Sequence, residues 1–500
     1  MALEDVRRAL RSDDRNVLIE APAGCGKTFE AARLAAEASS GLPSGAEVLV
    51  LAHTNAAVQE VIRRTRGGAR VRVSTLDGFC LEILSHYAPR LGLPTPLSNA
   101  VGAPNGVPFN DLAPHTYRLL ARCPAITMAL AHHYPLVLLD EHQDASTAQH
   151  EIVALLARTE RTRVRLFADQ MQAIYEDNDH PRVSWERLLN EADVTEPLTE
   201  PQRWADDRAL GDWILAARHS LSRGEHIPTR DAPPSVRVIH VPGMNCVGHG
   251  HGRPVDFLRP INQLINAADA GNGTVALLSR SRNHVWGLHT AAAQRVRYNE
   301  GAEFEDAYKL LDDAQGDQGR PRRLALRLVR HLKTVSSGIT TAMESSISNA
   351  LLDNSIRLGR MQTLRAFVQR FQPLYESATV GTFCRVAGDI LANPPPDCSV
   401  RMPMTLRVLG QLRPAAAESR ECLDEAVRRM KAIARRPTRI ASTIHKAKGL
   451  EFDHVLVSNF SNGHFPNEEL ARRLAYVAIS RARRSVTFLV PGGAPSPLLG

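Results

Sequence analysis

Residues 17 to 28, Val-Leu-Ile-Glu-Ala-Pro-Ala-Gly-Cys-Gly-Lys-Thr, constrain this chain more than any other stretch. The apolar run Val17–Ile19 has the composition of a strand buried on both faces, as in a parallel sheet. Small residues and two glycines follow, then Lys27-Thr28 and an alanine-rich helical pattern from Glu30 to Ala36. Strand, tight loop and helix in this order match the phosphate-binding P-loop. Gly24 and Gly26 let backbone N–H groups turn inward with no Cβ in the way. The positive end of the helix dipole adds to that cradle. Ala23, Gly24, Cys25, Gly26, Lys27 and Thr28 are therefore the expected nucleotide-binding set. Lys27 would reach the β- and γ-phosphates and Thr28 would hold Mg²⁺. The strict pattern asks for Gly at position 21, where this chain has Ala21.

Two more buried-strand candidates follow, Val48–Ala52 and Val71–Thr75. Each ends in polar residues, His53-Thr54-Asn55 and Ser74-Thr75, at the carboxyl end where open α/β sheets place ligand contacts. Thr54 and Thr75 would serve equally as helix caps. From Cys80 to about Ala131, Pro and Gly punctuate the chain, as in a small inserted subdomain or an elaborated loop. The apolar pattern resumes at Leu136–Leu139 and runs straight into Asp140-Glu141-His142-Gln143-Asp144. Acids at the end of a buried strand are costly unless they are used. Beside a P-loop, Asp140 would hold Mg²⁺ directly or through water. Glu141 would orient and deprotonate an attacking water. Val164–Ala168 then leads to Asp169–Tyr175, which puts Gln172 in reach of a γ-phosphate. Together these segments predict NTP hydrolysis.

Lys and Arg number 61 against 53 Asp and Glu, a net charge of +8. This mild basic excess suits a nucleic-acid partner, and suits an Arg-rich soluble protein equally well. Aromatic residues make up only 5%, which excludes an extended stacking surface. The seven cysteines are scattered, with no Cys-x-x-Cys pair, so reduced thiols in a cytoplasmic protein are expected and a zinc ribbon is not. No run approaches the ~18 apolar residues of a membrane helix. The first residues lack the order of a signal peptide. No membrane partner is expected.

The order of these segments resembles superfamily 1A DNA helicases of the UvrD/Rep/PcrA type. Thr54–Ala57 matches the family's Thr-Asn-Ala-Ala segment, and Thr75–Phe79 its Thr-x-His-Gly-like segment. Asp140, Glu141, Gln143 and Asp144 match its acidic box. Asp169–Tyr175 matches Asp-x-x-Gln-Ser-Ile-Tyr, with Ala173 for the Ser. Val275–Arg280 is similar to the strand opening the second motor lobe. Thr443–Phe452 and Arg473–Ala482 are similar to motifs V and VI. Ala in place of the first P-loop Gly also fits this family.

The resemblance implies an α/β fold of two RecA-like P-loop NTPase lobes with parallel sheets, plus small, mostly helical inserted subdomains. Lobe 1A would span 1–79 and 132–200, subdomain 1B 80–131, lobe 2A 201–290 and 437–500, and subdomain 2B 291–436. ATP would lie between the lobes. Arg203 and Arg481 would reach its γ-phosphate from lobe 2A and complete a catalytic set with Glu141 and Gln172. Glu451 would contact the ribose. Thr54, Asn55, Thr75 and His445 would face single-stranded DNA, with Tyr175 as a stacking face. The implied activity is ATP-dependent 3′-to-5′ translocation or unwinding on single-stranded or forked DNA, in DNA repair or anti-phage defence. The alternative is a nucleotide- and DNA-sensing ATPase that regulates a partner nuclease. Compact relatives include the helicase-like subunit of the Gabija anti-phage system, which works beside a separate nuclease-type subunit.

The chain also departs from the family. Residues 1–20 contain no Gln, so the adenine-reading Gln motif is missing, and Pro201-Gln202-Arg203 stands where Asn-Tyr-Arg is expected. Reduced base discrimination follows as an expectation. His53 replaces a Phe, Asp77 replaces a His, and Glu176-Asp177-Asn178 lacks the stacking Trp, which predicts modest unwinding. Trp185 is expected in the core. Within 291–436, helical patterns run over 322–333, 361–371 and 421–434. The arginines at 320, 322, 323, 327 and 330 read either as a duplex or partner contact or as a solvated helix face. The segment 243–252, with His249 and His251, reads as a loop and not as a metal site. Pro491–Gly500 is expected to be an unstructured end.

Overall fold

A computed structural model describes the chain except for residues 1–2, 66–69, 102–105, 176–178, 242–254, 272, 293–294, 300–301, 338–339, 354–366, 394–398 and 401–437. The strands are β1 (Asn16–Glu20), β2 (Val48–Ala52), β3 (Val71–Thr75), β4 (Leu136–Leu139), β5 (Arg163–Ala168), β6 (Val194–Pro197), β7 (Val236–Val241), β8 (Val275–Ser279), β9 (Arg297–Tyr298), β10 (Ser336–Ser337), β11 (Ser399–Val400), β12 (Arg439–Thr443), β13 (Phe452–Val457) and β14 (Ala482–Pro491). Two six-stranded sheets form, in the orders β3-β2-β4-β5-β1-β6 and β7-β14-β13-β8-β12-β9. Every pairing within them is parallel. Both sheets belong to one compact unit, Met1–Tyr298 with Thr438–Gly500.

The apolar runs explain the layout. β2, β4 and β8 are buried along their whole length, so helices must cover both faces of their sheets. In the first sheet Val17, Ile19, Val48, Val50, Leu136 and Leu138 pack toward one helical layer. Leu18, Leu49, Leu51, Val137 and Leu139 pack toward the other. Alternate residues of one strand thus serve opposite layers, as the two-residue period requires. Between β3 and β4 the described residues are mostly helical, and helices there, among them Leu112–Arg122 and Pro124–His133, join the second layer through Leu112, Leu119 and Leu120. Trp185 packs, partly buried, on the same layer.

The chain end corrects one expectation. Pro491–Gly500 is not loose: Leu498 is buried, its carbonyl accepts from Ile227 N–H at 2.8 Å, and Ser496 donates to Phe465 O at 2.6 Å. Leu498 and Leu499 supply the apolar surface that the preceding Pro-Gly composition hid.

The second unit, Asn299–Pro437, includes the helices Ala302–Gly316, Pro321–Val335, Thr341–Asp353 and Val380–Ala392 and the β10–β11 ribbon. Leu324, Leu328, Phe371 and Phe383 lie in its core. Arg327 donates to Asp317 from Nε at 2.9 Å, and Arg323 lies 3.7 Å from the same carboxylate. Part of the arginine density is therefore spent inside the unit. The patterns at 361–366 and 421–434 and the segment 243–252 lie outside the described residues.

Candidate nucleotide site

The carboxyl ends of the first sheet's strands gather the site. The P-loop follows β1 and opens the helix Lys27–Ser39. Gly24 and Gly26 hold φ of 77° and 92°, in the left-handed region that favours glycine. A Cβ on Gly24 would also meet the Trp204 ring at 2.8 Å and Arg203 Cβ at 2.9 Å. The strap Pro201–Trp204 thus lies directly on the loop, and the N–H groups of Gln202 and Arg203 both donate to Gly24 O, at 2.9 and 3.0 Å. Cys25 is buried, and burial pushes its thiol up to about 12, so it is an inert packing residue here.

β4 delivers the acids. Thr28 Oγ1 donates to Asp140 Oδ2 at 2.7 Å, and Lys27 Nζ lies 3.1 Å from Glu141 Oε1. That last contact is an ion pair without hydrogen-bond geometry. Lys27 Nζ and Asp140 Oδ1 are buried with no hydrogen-bond partner among the described residues. An ammonium held by one ion pair and a carboxylate oxygen lacking donors leave bonding capacity that a triphosphate and a divalent cation would satisfy. Burial and the neighbouring Glu141 charge raise the Asp140 carboxyl. Burial pushes Glu141 up as well, but the Lys27 and Lys448 ammonium groups outweigh it and hold Glu141 ionised. Glu141 sits at φ 56°, an uncommon left-handed conformation for a non-glycine residue.

The second sheet closes over these groups. Arg481 is buried and donates to Gln172 Oε1 at 3.2 Å and to Val477 O at 3.0 Å. Gln172 in turn donates to Asp169 Oδ2 at 2.9 Å. Arg203 donates to Glu451 Oε1 at 2.6 Å and to Ser480 O, so its guanidinium is bound within the second sheet's own loops. Glu451 is shared with Arg483. Burial pushes its carboxyl up, but Arg203 and Arg483 prevail and bring it to about 2.

Four further residues, to which the sequence alone assigns no role, complete the junction. Tyr476 accepts from Ala23 N–H at 2.8 Å and donates to Asp169 Oδ2 at 3.2 Å. Arg218, on the helix Arg208–Ser222, reaches Glu20 at 2.6 Å and Asp169 at 2.8 Å. Lys448 binds Asp144 at 2.5 and 2.8 Å and Gln172 O at 2.6 Å. Trp204 is fully buried and donates to Ala482 O at 2.7 Å. Lys448 and Tyr476 stand inside recognisable motifs. For Arg218 the only signal is a charge within an amphipathic helix.

The remaining candidates also lie at carboxyl strand ends. Thr54 follows β2, is exposed, and accepts from Ala57 N–H at 3.2 Å. Thr75 ends β3 and caps the next helix through Gly78 N–H at 2.9 Å. Both capping bonds form, which leaves each hydroxyl part of its bonding capacity. The Asn55 side chain lies outside the described residues. Tyr175 is 39% exposed, donates to His445 O at 3.2 Å, and carries Lys448 Nζ 5.0 Å from its ring centre. No helix among the described residues is long and apolar enough to cross a membrane.

Two domains of known proteins match the chain. The UvrD/REP helicase N-terminal domain matches residues 3–100 and 95–177. The UvrD-like helicase C-terminal domain matches residues 427–490. No curated protein matches the sequence. Among solved structures, the arterivirus nonstructural protein 10 helicase covers 97% of this chain at 10% identity and a TM-score of 0.33. The chain spans 62% of that protein's length. Kinship rests on the two domain matches, which include the P-loop and acidic turn at one end and the Arg481 segment at the other. With both halves of one motor architecture present in order, the chain belongs to the UvrD/Rep-type helicases of superfamily 1.

Proposed function

We propose that this chain is an ATP-driven, 3′-to-5′ translocase and helicase on single-stranded or forked DNA, acting in DNA repair or anti-phage defence. One observation carries the proposal: the first sheet gathers Lys27, Thr28, Asp140 and Glu141 at its strand ends, and Arg481 of the second bonds Gln172, which is tied to Asp169 at the end of β5. In this reading the first sheet with its P-loop is lobe 1A, the second is lobe 2A, and 80–131 and the separate helical unit are the inserted subdomains 1B and 2B.

Lys27 would neutralise β- and γ-phosphate oxygens, with Gly24, Gly26 and the helix N-terminus supplying N–H groups. Thr28 and Asp140 would hold Mg²⁺, which supplies charge neutralisation at the same oxygens. Glu141, held ionised by Lys27 and Lys448, would take the proton of the attacking water. Arg481 is permanently charged and supplied from the other sheet, so hydrolysis would require the lobes to be together. Arg203 would join it after leaving Glu451. Glu451 would contact the ribose. Thr54, Asn55, Thr75 and His445 would bond strand phosphates, and Tyr175 would stack on a base.

The test is the ATPase rate with and without a single-stranded oligonucleotide, beside unwinding of duplexes with a 3′ or a 5′ tail. DNA-stimulated turnover and unwinding of the 3′-tailed duplex alone are expected. Turnover indifferent to DNA would overturn the translocase reading. Stimulation only by another protein would replace it with an ATPase that regulates a partner nuclease.

A further inference from the structure

The acidic turn holds one side chain that the chemistry above does not use. His142 lies between Glu141 and Gln143 and is 0% exposed. Its Nε2 is 3.0 Å from His150 Nδ1, on the helix Thr147–Ala157. His150 Nε2 is 2.8 Å from Glu191 Oε2, at the end of the helix Trp185–Glu191. Arg187 donates to the other Glu191 oxygen at 2.7 Å and also pairs with Glu151.

Proton positions along this line follow one from another. Burial pushes the Glu191 carboxyl up, but the bonds from Arg187 and His150 outweigh it and keep it ionised. A carboxylate only accepts, so His150 carries its proton on Nε2. Its Nδ1 is then a lone pair, and His142 must donate to it from Nε2. That leaves His142 Nδ1 bare, and this atom is buried without a hydrogen-bond partner among the described residues. A proton there would face no acceptor, so the orphan agrees with the assignment.

The turn has something to hold. Glu141 keeps a left-handed φ of 56°, and the three residues after it are each tied to a different place. Gln143 accepts from Asp169 N–H at 3.1 Å, and Asp144 is bound by Lys448. His142 is the third tether, reaching back to the two helices behind the sheet. We infer that His142 is a positioning residue for Glu141: its tautomer, imposed by Glu191 through His150, fixes the turn that presents the Glu141 carboxylate to Lys27. The inference rests on Glu141 acting as the base, as proposed above.

Side-chain ¹⁵N spectra of histidine-labelled full-length protein read the tautomers directly. His142 and His150 should both carry the proton on Nε2. In Glu191→Ala, which alters only the far end of the line, His150 should become a tautomer mixture. Its kcat for ATP should fall about tenfold, as expected for a displaced catalytic group, with KM within about twofold. Glu191→Gln, whose amide oxygen still accepts, should recover most of the rate and serves if Glu191→Ala does not fold. His142→Phe should lose kcat similarly, and adding Glu191→Ala to it should cost little more. A wild-type proton on His142 Nδ1 overturns the inference, as does full kcat in Glu191→Ala once its tautomers mix. Wild-type protein with the expected tautomers and no ATPase overturns the functional proposal instead.

Discussion

Gly24→Ala is the most informative single change, because its effect can be worked from two distances and one angle. The new Cβ would lie 2.8 Å from a Trp204 ring carbon and 2.9 Å from Arg203 Cβ, at a residue whose φ is 77°. A left-handed conformation costs a residue with a Cβ about 1–2 kcal/mol. Forcing an extra methyl into a packed contact costs about 1–3 kcal/mol. The strap must retreat from the P-loop or the loop must deform, at about 2–5 kcal/mol in all. If that strain is relieved by opening the loop, ATP affinity should fall about thirtyfold or more. Trp204→Ala alone removes a fully buried indole, at about 3–5 kcal/mol, and its bond to Ala482 O, at about 1 kcal/mol. In that background Gly24→Ala keeps the dihedral term and loses the ring overlap. A double-mutant cycle by thermal unfolding and fluorescent-nucleotide titration should therefore show a coupling of about 1 kcal/mol or more. Additivity within about 0.5 kcal/mol, or near-native ATP affinity in Gly24→Ala, would refute the contact between strap and loop as the cause.

Other outcomes follow from the same site. Glu141→Gln should bind ATP and lower kcat by about 10²–10⁴, the range of general-base contributions, in a steady-state ATPase assay. Tyr175→Ala removes a half-exposed ring and should weaken single-strand binding by about 1–3 kcal/mol, read by fluorescence anisotropy. Glu451 has a depressed carboxyl, so it contributes stability above its unfolded value that is lost as pH falls toward about 2. The stability deficit of Glu451→Gln should accordingly be constant at neutral pH and shrink in acid unfolding titrations. In a nucleotide panel, GTP should support turnover within about tenfold of ATP, since one tenfold step is only ~1.4 kcal/mol of base recognition. Strict ATP preference would refute reduced base discrimination.

The strands that read most plainly were those buried on both faces. Val48–Ala52, Leu136–Leu139 and Val275–Ser279 are continuous apolar runs, and parallel sheets make such runs unambiguous. Asp140 and Glu141 were legible for the opposite reason, as charges where an apolar strand should end quietly. β6 and β7 were not legible, since their half-buried patterns differ little from loops. Nor were Tyr476 on Ala23 or Arg218 on Asp169, contacts made across more than forty residues of intervening fold that no local pattern encodes. Arg203 shows the limit within a motif: its position was readable, but its binding to Glu451 depends on where a different loop lies. The packed chain end was missed because its proline and glycine drew more weight than Leu498.

Arg218 has a mechanical consequence. Its guanidinium ties the second sheet's helix to Glu20 and Asp169, at the ends of β1 and β5, and Asp169 is 0% exposed. Stripping one partner from a buried charge costs about 3–5 kcal/mol, so separation at this point is strongly resisted. Lys448 on Asp144, where both side chains are nearly buried, is a second tie of the same kind beyond β4. The two sheets are thus clasped at two separate points. Rotation between them would have to loosen Arg218 or Lys448, and Lys448 lies in the segment that carries His445, where the strand is proposed to lie.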